Sequence, residues 1–397
     1  METITYRGTR LSRLGIGCYG VSGAYGKPDL ERFTGVLRRA YDLGVTLFDT
    51  ADVYGPGEEV LGRAVAPFRD QVCIATKVGA GPDGKPNCSQ PHVLASCDRS
   101  LQRLKTDWID LYQVHVNDPH TPVAETVAAL EILKARGKIR HYGVGHLPPS
   151  RLVEYLAAGD IFSMLVELNA TTRETLTTSL PLCHQHNVGA IAFSITARGL
   201  LTGKIGPHPR FEPGDIRRID PLFQRERLAS GLRVAERFRQ LGRRLDKTAV
   251  QVAIAWVLAQ PGVICALTGP SNTAHLEENV GGSGWKIPPG ELADLTRFLT
   301  AEDGRLQRGQ MMELEAILKA ESVPEQLFAD LIYVLETLVT LGLAQEEQIL
   351  PLFQRLWALR DQPEPESLTQ IRAELRAAYL PLLTTLPETG SELDGFL

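Results

Sequence analysis

Residues 47–62 read LFDTADVYGPGEEVLG. The first of them close an apolar run that begins at Gly44-Val45-Thr46, so a buried strand is expected there. That strand runs straight into a carboxylate, Asp49, with Asp52 and Tyr54 just behind it. A turn needs polar residues, but not this set. Asp49 and Tyr54 therefore call for partners elsewhere in the chain.

Similar apolar runs recur along the sequence. They are LGIGC (14–18), TLFDT (46–50), VCIATKV (72–78), WIDLYQVH (108–115), IRHYGVG (139–145), FSMLVELN (162–169), VGAIAFS (188–194) and VICALTG (263–269). Most are continuously apolar, as expected for strands buried on both faces of a parallel sheet. Between them lie helical patterns at Leu30–Leu43, Gly57–Phe68, Pro91–Leu104, Val123–Ala135, Pro149–Ala158, Thr175–His186 and Ala249–Leu258. Eight such units predict an α/β fold, a (β/α)8 TIM barrel over residues 1–300, with a doubly wound sheet as the competing arrangement. The long interval 194–263 holds a polar loop, GKIGPHPRFEPGDIRRIDPLFQRE, that reads as a ligand cover or a surface connection.

Past Thr300 no apolar strand follows. LEAILKA, EQLFADLIYVLETLVTLG, EQILPLFQRLWALR and LTQIRAELRAAYLPLL carry apolar residues at helical spacing, so 301–397 is expected to be a small all-α extension of roughly four helices. DQPEPES (361–367) reads as a turn or linker, and ETGSELDGFL (388–397) as a frayed end. The extension is acidic, with 17 Asp/Glu against 7 Arg/Lys, whereas residues 1–300 hold 35 basic and 30 acidic residues.

The bulk numbers exclude several classes. A composition 43% hydrophobic and 22% charged is that of an ordinary globular protein. A net charge of −5 gives no sign of a nucleic-acid or membrane surface. The start, METITYRGTRLSRLG, has no apolar core of a leader, and Leu331–Ala344 is too short to span a bilayer. Six scattered cysteines read as reduced thiols of a cytoplasmic protein. CHQH (183–186) is too compact for a zinc site and reads as a helix end, so no metal is expected.

In a barrel, reactive groups gather at the C-terminal ends of strands. Those ends here carry Asp49, Lys77 and His115, with Tyr54 in the loop after the second run. Each alone has a bland reading: a helix cap, a shielded core edge, a satisfied core histidine. Lys77 resists that reading, because an ammonium inside VCIATKVG needs a partner. Together the four suit proton donation to a carbonyl oxygen, with Lys77 expected to lower the Tyr54 pKa and Asp49 to hold the lysine. The set contains no nucleophile and no metal ligands, so a hydride would have to come from a cofactor.

LFDTADVYG, ATKVG, LYQVH followed by NDP, ARGLLTGK (197–204) and LTGPSNTAHLEEN (267–279), in this order, resemble the aldo-keto reductases. The opening YRGTRLSRLGIGCYG and TAVQVAIAWVLAQPGV (248–263) resemble them too, so the likeness covers about 1–300. It implies a (β/α)8 barrel that binds NADPH without a Rossmann domain, with NADH the open alternative. It implies Tyr54 as general acid, Lys77 and Asp49 as its tuning pair, and His115 as orienting group. By the same resemblance Phe193 and Ser194 lie at the nicotinamide, Arg198, Gly199 and Leu200 along the pyrophosphate, and Gly269, Ser271, His275, Glu278 and Asn279 at the adenosine end. Asn169 falls near the nicotinamide strand. Tyr19, Val53, Val116 and Asn117 would line the substrate pocket.

Three departures from the family pattern stand out. Its usual Ser-Asn after the fifth strand is Gly145-His146, its usual Gln on the sixth is Leu165, and the Arg or Gln before the adenine-site Asn is His275. The first two leave His146 as the substitute at the nicotinamide. GAGPDG (79–84) matches a dinucleotide fingerprint only on paper: Pro82 has no N–H to offer, and the better helix start is Ser89.

The expected function is NADPH-dependent reduction of an aldehyde or ketone. Two alternatives stand beside it: an NAD(P)-linked dehydrogenase of an alcohol or sugar, and a cofactor-binding regulatory module acting through 301–397, which could also serve as an oligomer or protein contact.

Overall fold

The computed structural model describes residues 1–81, 84–319, 324–360 and 362–385. The chain opens on an antiparallel hairpin, β1 (Thr3–Tyr6) and β2 (Thr9–Ser12), turned at Arg7-Gly8, both at positive φ. Among the described residues, eight parallel strands follow: β3 (Leu14–Gly17), β4 (Leu47–Asp49), β5 (Cys73–Val78), β6 (Ile109–Val114), β7 (Ile139–Gly145), β8 (Ser163–Glu167), β9 (Gly189–Phe193) and β10 (Val263–Thr268). They pair in chain order, and β10 closes on β3, so the sheet is a closed barrel rather than a doubly wound sheet.

The helices that go with the barrel strands are α1 (Leu30–Asp42), α2 (Gly57–Val65), α3 (Gln90–Leu104), α4 (Val123–Ala135), α5 (Pro149–Ala158), α6 (Ser179–Gln185), α7 (Arg225–Leu245), α8 (Ala249–Leu258) and α9 (Thr273–Val280). Caps fix several starts. Asp29 accepts from the Arg32 N–H ahead of α1, and Thr248 with Gln251 forms a capping box on α8. Helix α3 starts after Ser89, with Pro91 in its first turn. Helices α2 and α3 approach at Gly62, where a Cβ would lie 2.2 Å from the Leu104 carbonyl oxygen, so only glycine fits.

Leu47, Ala75, Leu111, Leu165, Ile191 and Cys265 belong to one buried cluster drawn from the barrel strands, and Leu11 of β2 joins them. Ile4 and Tyr6 pack on the same cluster, and the Tyr6 hydroxyl donates to the Asn187 carbonyl just before β9. The hairpin thus plugs the N-terminal end of the barrel and leaves the opposite end for chemistry.

The described residues divide into two compact units. The first comprises Met1–Gly206, Glu212–Asp215 and Val234–Leu295. The second comprises Pro207–Phe211, Ile216–Arg233 and Thr296–Leu397 as far as it is described. LEAILKA is not a helix of its own. It is the end of α10 (Pro289–Lys319), which runs on because only Gly304 and Gly309 interrupt it, and a glycine costs about 1 kcal/mol in a helix rather than breaking it. Helices α11 (Pro324–Thr340), α12 (Glu346–Ala358) and α13 (Pro365–Thr385) follow. Asp361 of the expected linker and the 388–397 segment lie outside the described residues.

The second unit has its own core, which includes Leu314, Leu331, Leu335, Leu338, Leu356 and Leu375. Its acidic residues find cations in a segment far away in sequence. Arg225 pairs with Asp330, Arg227 with Glu336, and Arg233 with Glu302. Part of the polar interval after β9 is therefore the counter-charge of the acidic extension. Among the described residues no helix is long and apolar enough to cross a membrane.

Candidate active site

Strand β4 ends on Asp49, which sits in register between Gly17 of β3 and Ala75 of β5. Lys77 lies two residues further along β5, and His115 follows β6, its N–H bonded to the Val78 carbonyl. The loop from β4 to α2 is folded back on itself: the Tyr54 N–H reaches the Ala51 carbonyl, and the Gly57 N–H reaches the Tyr54 carbonyl. Side chains distant in sequence thereby meet at one end of the barrel.

Lys77 is fully buried. Its ammonium donates to Asp49 Oδ1 at 2.5 Å and to the Thr50 carbonyl at 2.6 Å. It also lies 5.1 Å from the centre of the Tyr54 ring, within cation–π range. The Tyr54 hydroxyl is 3.5 Å from His115 Nε2. Burial raises the Asp49 pKa above the ordinary carboxylate value, and the Lys77 charge opposes that rise.

The pKa of Tyr54 corrects one expectation. It is pushed well above the ordinary tyrosine value, first by burial and then by the nearby Asp49 carboxylate. Lys77 was expected to lower it, but the low-dielectric surroundings win. Tyr54 is a firmly protonated phenol at neutral pH. Burial, helped by Lys77 and His146, pushes His115 down to about 2, so its imidazole is neutral.

A chain of rings continues on both sides. Tyr19 lies edge-on to Tyr54 at 5.1 Å, and Tyr25 edge-on to Tyr19 at 5.8 Å. On the other side His146 is 5.6 Å from His115 and 4.9 Å from Phe193. His146 takes a left-handed backbone at φ 51° and is exposed at the mouth, yet the protein crowding its ring and the Lys77 charge push it to about 4. Such strain in a non-glycine residue is common where function fixes a side chain. The expected substrate residues Tyr19 and Val53 are exposed here, and Asn117 holds a buried Oδ1 with no protein partner.

The remaining expected positions fall into three groups. At the end of β9, Ser194 holds a buried hydroxyl without a protein partner, and Ser194, Ala197, Arg198 and Gly199 all have positive φ. Arg198 lies 3.8 Å from Glu167, and Leu200 is fully buried. Beyond β10 and Gly269, Asn272 caps α9, and the Ser271 hydroxyl lies 3.0 Å from His275 Nδ1. Glu278 pairs with Lys204 at 2.9 Å, and Asn279 is buried. Asn169 is turned inward: its amide donates to the Ser194 carbonyl and accepts from Thr171, so it shapes the β9 loop. Val116 packs near Gly79.

Two contributors were not foreseen. The Thr50 carbonyl is a backbone group, and no residue type announces it. Tyr25 extends the ring chain, and its only sequence signal is an aromatic within SGAYG. In the glycine-rich GAGPDG segment, Pro82 and Asp83 lie outside the described residues. Ala80 of the segment pairs with Pro86 beyond it in an isolated antiparallel bridge.

A sequence model of the Aldo/keto reductase family matches residues 13–299. The chain is 33% identical to aldo-keto reductase YhdN of Bacillus subtilis (strain 168), covering 75% of this chain and 92% of that protein. It is 32% identical to probable aldo-keto reductase 1 of Glycine max, over 76% and 90% of the two chains. Among solved structures, the glycerol dehydrogenase AKR11B4 from Gluconobacter oxydans superposes with a TM-score of 0.70 at 31% identity, over 76% of this chain and 95% of that one. An aldo/keto reductase from Klebsiella pneumoniae, solved with NADP and acetate, gives 0.60 at 26% identity, over 75% and 95%. The barrel, its strand-end cluster and these likenesses agree, and the chain belongs to the aldo/keto reductase family of oxidoreductases.

Proposed function

We propose that this enzyme reduces an aldehyde or ketone to an alcohol, with NADPH as hydride source and Tyr54 as proton donor. The observation that carries the reading is the buried Lys77 ammonium, set between the Asp49 carboxylate and the Tyr54 ring.

The site suits a nicotinamide cofactor. The buried Ser194 and Thr268 hydroxyls at the ends of β9 and β10 lack protein partners, as an amide- and phosphate-bearing ligand would require. Phe193, Ser194 and His146 would hold the nicotinamide, Arg198, Gly199 and Leu200 would border the pyrophosphate, and Ser271, His275, Glu278 and Asn279 would border the adenosine. NADPH rather than NADH is part of this proposal, with Ser271 and His275, 3.0 Å apart at the start of α9, as the groups that would border a 2′-phosphate. When bound, the cofactor supplies hydride to the carbonyl carbon.

The residues of the chain do the rest. The neutral His115 imidazole and the Tyr54 hydroxyl share one point, 3.5 Å apart, at which a carbonyl oxygen can accept from both. Tyr54 keeps its proton through neutral pH and releases it only to a strong base. An alkoxide forming on the substrate is such a base. The Lys77 charge stabilises the phenolate that remains, and Asp49 and the Thr50 carbonyl keep that ammonium in place. Tyr19, Val53, Val116 and Asn117 line the approach.

Run backwards, the same groups oxidise an alcohol, and the likeness to a glycerol dehydrogenase favours testing that direction too. Six buried, free cysteines fit a reducing cytoplasmic setting. The test is turnover: purified protein with NADPH or NADH and a panel of aldehydes and ketones, followed by cofactor absorbance, then NADP+ with alcohols. NADPH-linked reduction that falls ~100-fold or more in Tyr54→Phe supports the assignment. Full activity in Tyr54→Phe removes Tyr54 from the mechanism.

A further inference from the structure

We propose that Glu58 is a positioning residue for the proton transfer, holding Tyr54 at its distance from Lys77, a role that rests on the reading of Tyr54 as donor above. Lys77 belongs to a strand and Tyr54 to a loop, so their separation is not set by the barrel alone. The loop is anchored at its start, where Thr50 accepts from the Lys77 ammonium and donates its N–H to the Ala75 carbonyl. The bonds from Tyr54 to Ala51 and from Gly57 to Tyr54 shape the loop internally but reach no strand. Its far end needs a second anchor, because loops move more than the strands they join.

Glu58, in the first turn of α2, supplies that anchor. Its side chain is buried, and Oε1 accepts from the Thr76 hydroxyl at 2.6 Å while Oε2 accepts from Arg103 Nε at 2.6 Å. Thr76 and Lys77 are neighbours on β5, so their side chains leave opposite faces of the strand. Lys77 reaches the catalytic cluster, and Thr76 reaches α2. One carboxylate thus grips the strand that carries Lys77 and, through Arg103, helix α3. A buried carboxylate is costly unless donors satisfy it, and here two elements supply one donor each. The grip passes to Tyr54 through Gly57, where a Cβ would lie 2.7 Å from Thr50 Oγ1 and 3.2 Å from the Tyr54 Cβ. At that closeness a shift of Glu58 moves the phenol relative to the ammonium. Asp52, another acid of the loop, is the competing anchor, but its Oδ1 is buried without a protein partner.

Single-turnover reduction of a reactive aldehyde by the full-length protein with NADPH tests this. Glu58→Gln and Thr76→Val are each expected to lower the rate ~10- to 100-fold, with NADPH affinity nearly unchanged. Thr76→Ser keeps the hydroxyl and should retain most of the rate. Should Glu58→Gln fail to fold, Thr76→Val decides, since it leaves the Arg103 pair in place. In a Lys77→Met background the same changes should cost less than about threefold, because no ammonium remains for Tyr54 to be held against. A residue that merely supports the fold would cost as much there as in wild type. In the cofactor-free protein, fluorine NMR of a fluorotyrosine placed at position 54 should show a resonance that moves in Glu58→Gln and Thr76→Val and stays in Thr76→Ser. Full activity in Thr76→Val, equal losses with and without Lys77, an unmoved resonance, or a loss found in Asp52→Asn alone overturns the proposal and leaves the reductase reading intact. Full activity in Tyr54→Phe overturns both.

Discussion

The Lys77 ammonium lies 5.1 Å from the centre of the Tyr54 ring while donating to Asp49 Oδ1. One buried charge thus faces a carboxylate and a phenol together. Lys77→Met keeps an unbranched side chain one atom shorter and removes the charge. Reductive kcat/KM is expected to fall by ~100- to 10,000-fold, with NADPH affinity nearly unchanged. Single-turnover kinetics with a reactive aldehyde checks this, and a loss below tenfold would contradict the role given to the lysine.

Because the Tyr54 pKa lies above the ordinary tyrosine value of about 10, the phenol is the form present across neutral pH. Reductive kcat/KM is therefore expected to carry no Tyr54-dependent titration between pH 7 and about 9. Oxidation of an alcohol, which starts from the phenolate, should rise with pH over the same interval. Profiles in both directions, compared with Tyr54→Phe, settle the point. An alkaline fall in reduction centred near pH 7 would place the proton donor elsewhere.

Removing one partner of a buried pair leaves an uncompensated charge. Asp49→Asn strands the Lys77 ammonium and is expected to destabilise the barrel by ~3–5 kcal/mol. The double variant Asp49→Asn, Lys77→Met should cost less than the sum of the two single changes, Asp49→Asn and Lys77→Met. Urea unfolding monitored by tryptophan fluorescence gives the three values, and simple additivity would mean the pair is not coupled.

His115 is held neutral in the fold, at about 2, against about 6.5 when unfolded. Below that unfolded value the open chain binds a proton that the folded chain refuses. The associated stability is complete above pH 6.5 and drains away as pH falls toward the folded value. His115→Gln should flatten the dependence of stability on pH by up to about 1.4 kcal/mol per unit between pH 6 and 4. Denaturant titrations at those two pH values are the measurement, and identical slopes in both proteins would refute it.

The eight barrel strands were legible because each is an apolar run bounded by glycine, proline or a polar cluster, and VCIATKV differs from β5 by a single residue. Lys77 advertised its own importance, since an ammonium in such a run must be paired. Other features had no such signal. β1 and β2 are four-residue strands of mixed polarity, which read as nothing in particular until the chain closes on itself. The Thr50 carbonyl is backbone. The upward shift of Tyr54 depends on how much protein surrounds the phenol, which spacing along a chain does not reveal. The family resemblance set Asn169 near the nicotinamide strand, and only the fold shows that its amide is directed at the Ser194 carbonyl. LEAILKA carried the right period but no stop signal upstream, so α10 absorbed it.

All six thiols are buried, and none lies beyond Cys265. A thiol-reactive dye should therefore be nearly silent on the folded enzyme, and its rate of attachment becomes a clock for opening of the first compact unit, which holds all six thiols. Melting of α11 to α13 by themselves would leave that clock unmoved while circular dichroism declines. Run side by side, the two signals tell whether the catalytic body and its helical companion come apart as one cooperative block or as two.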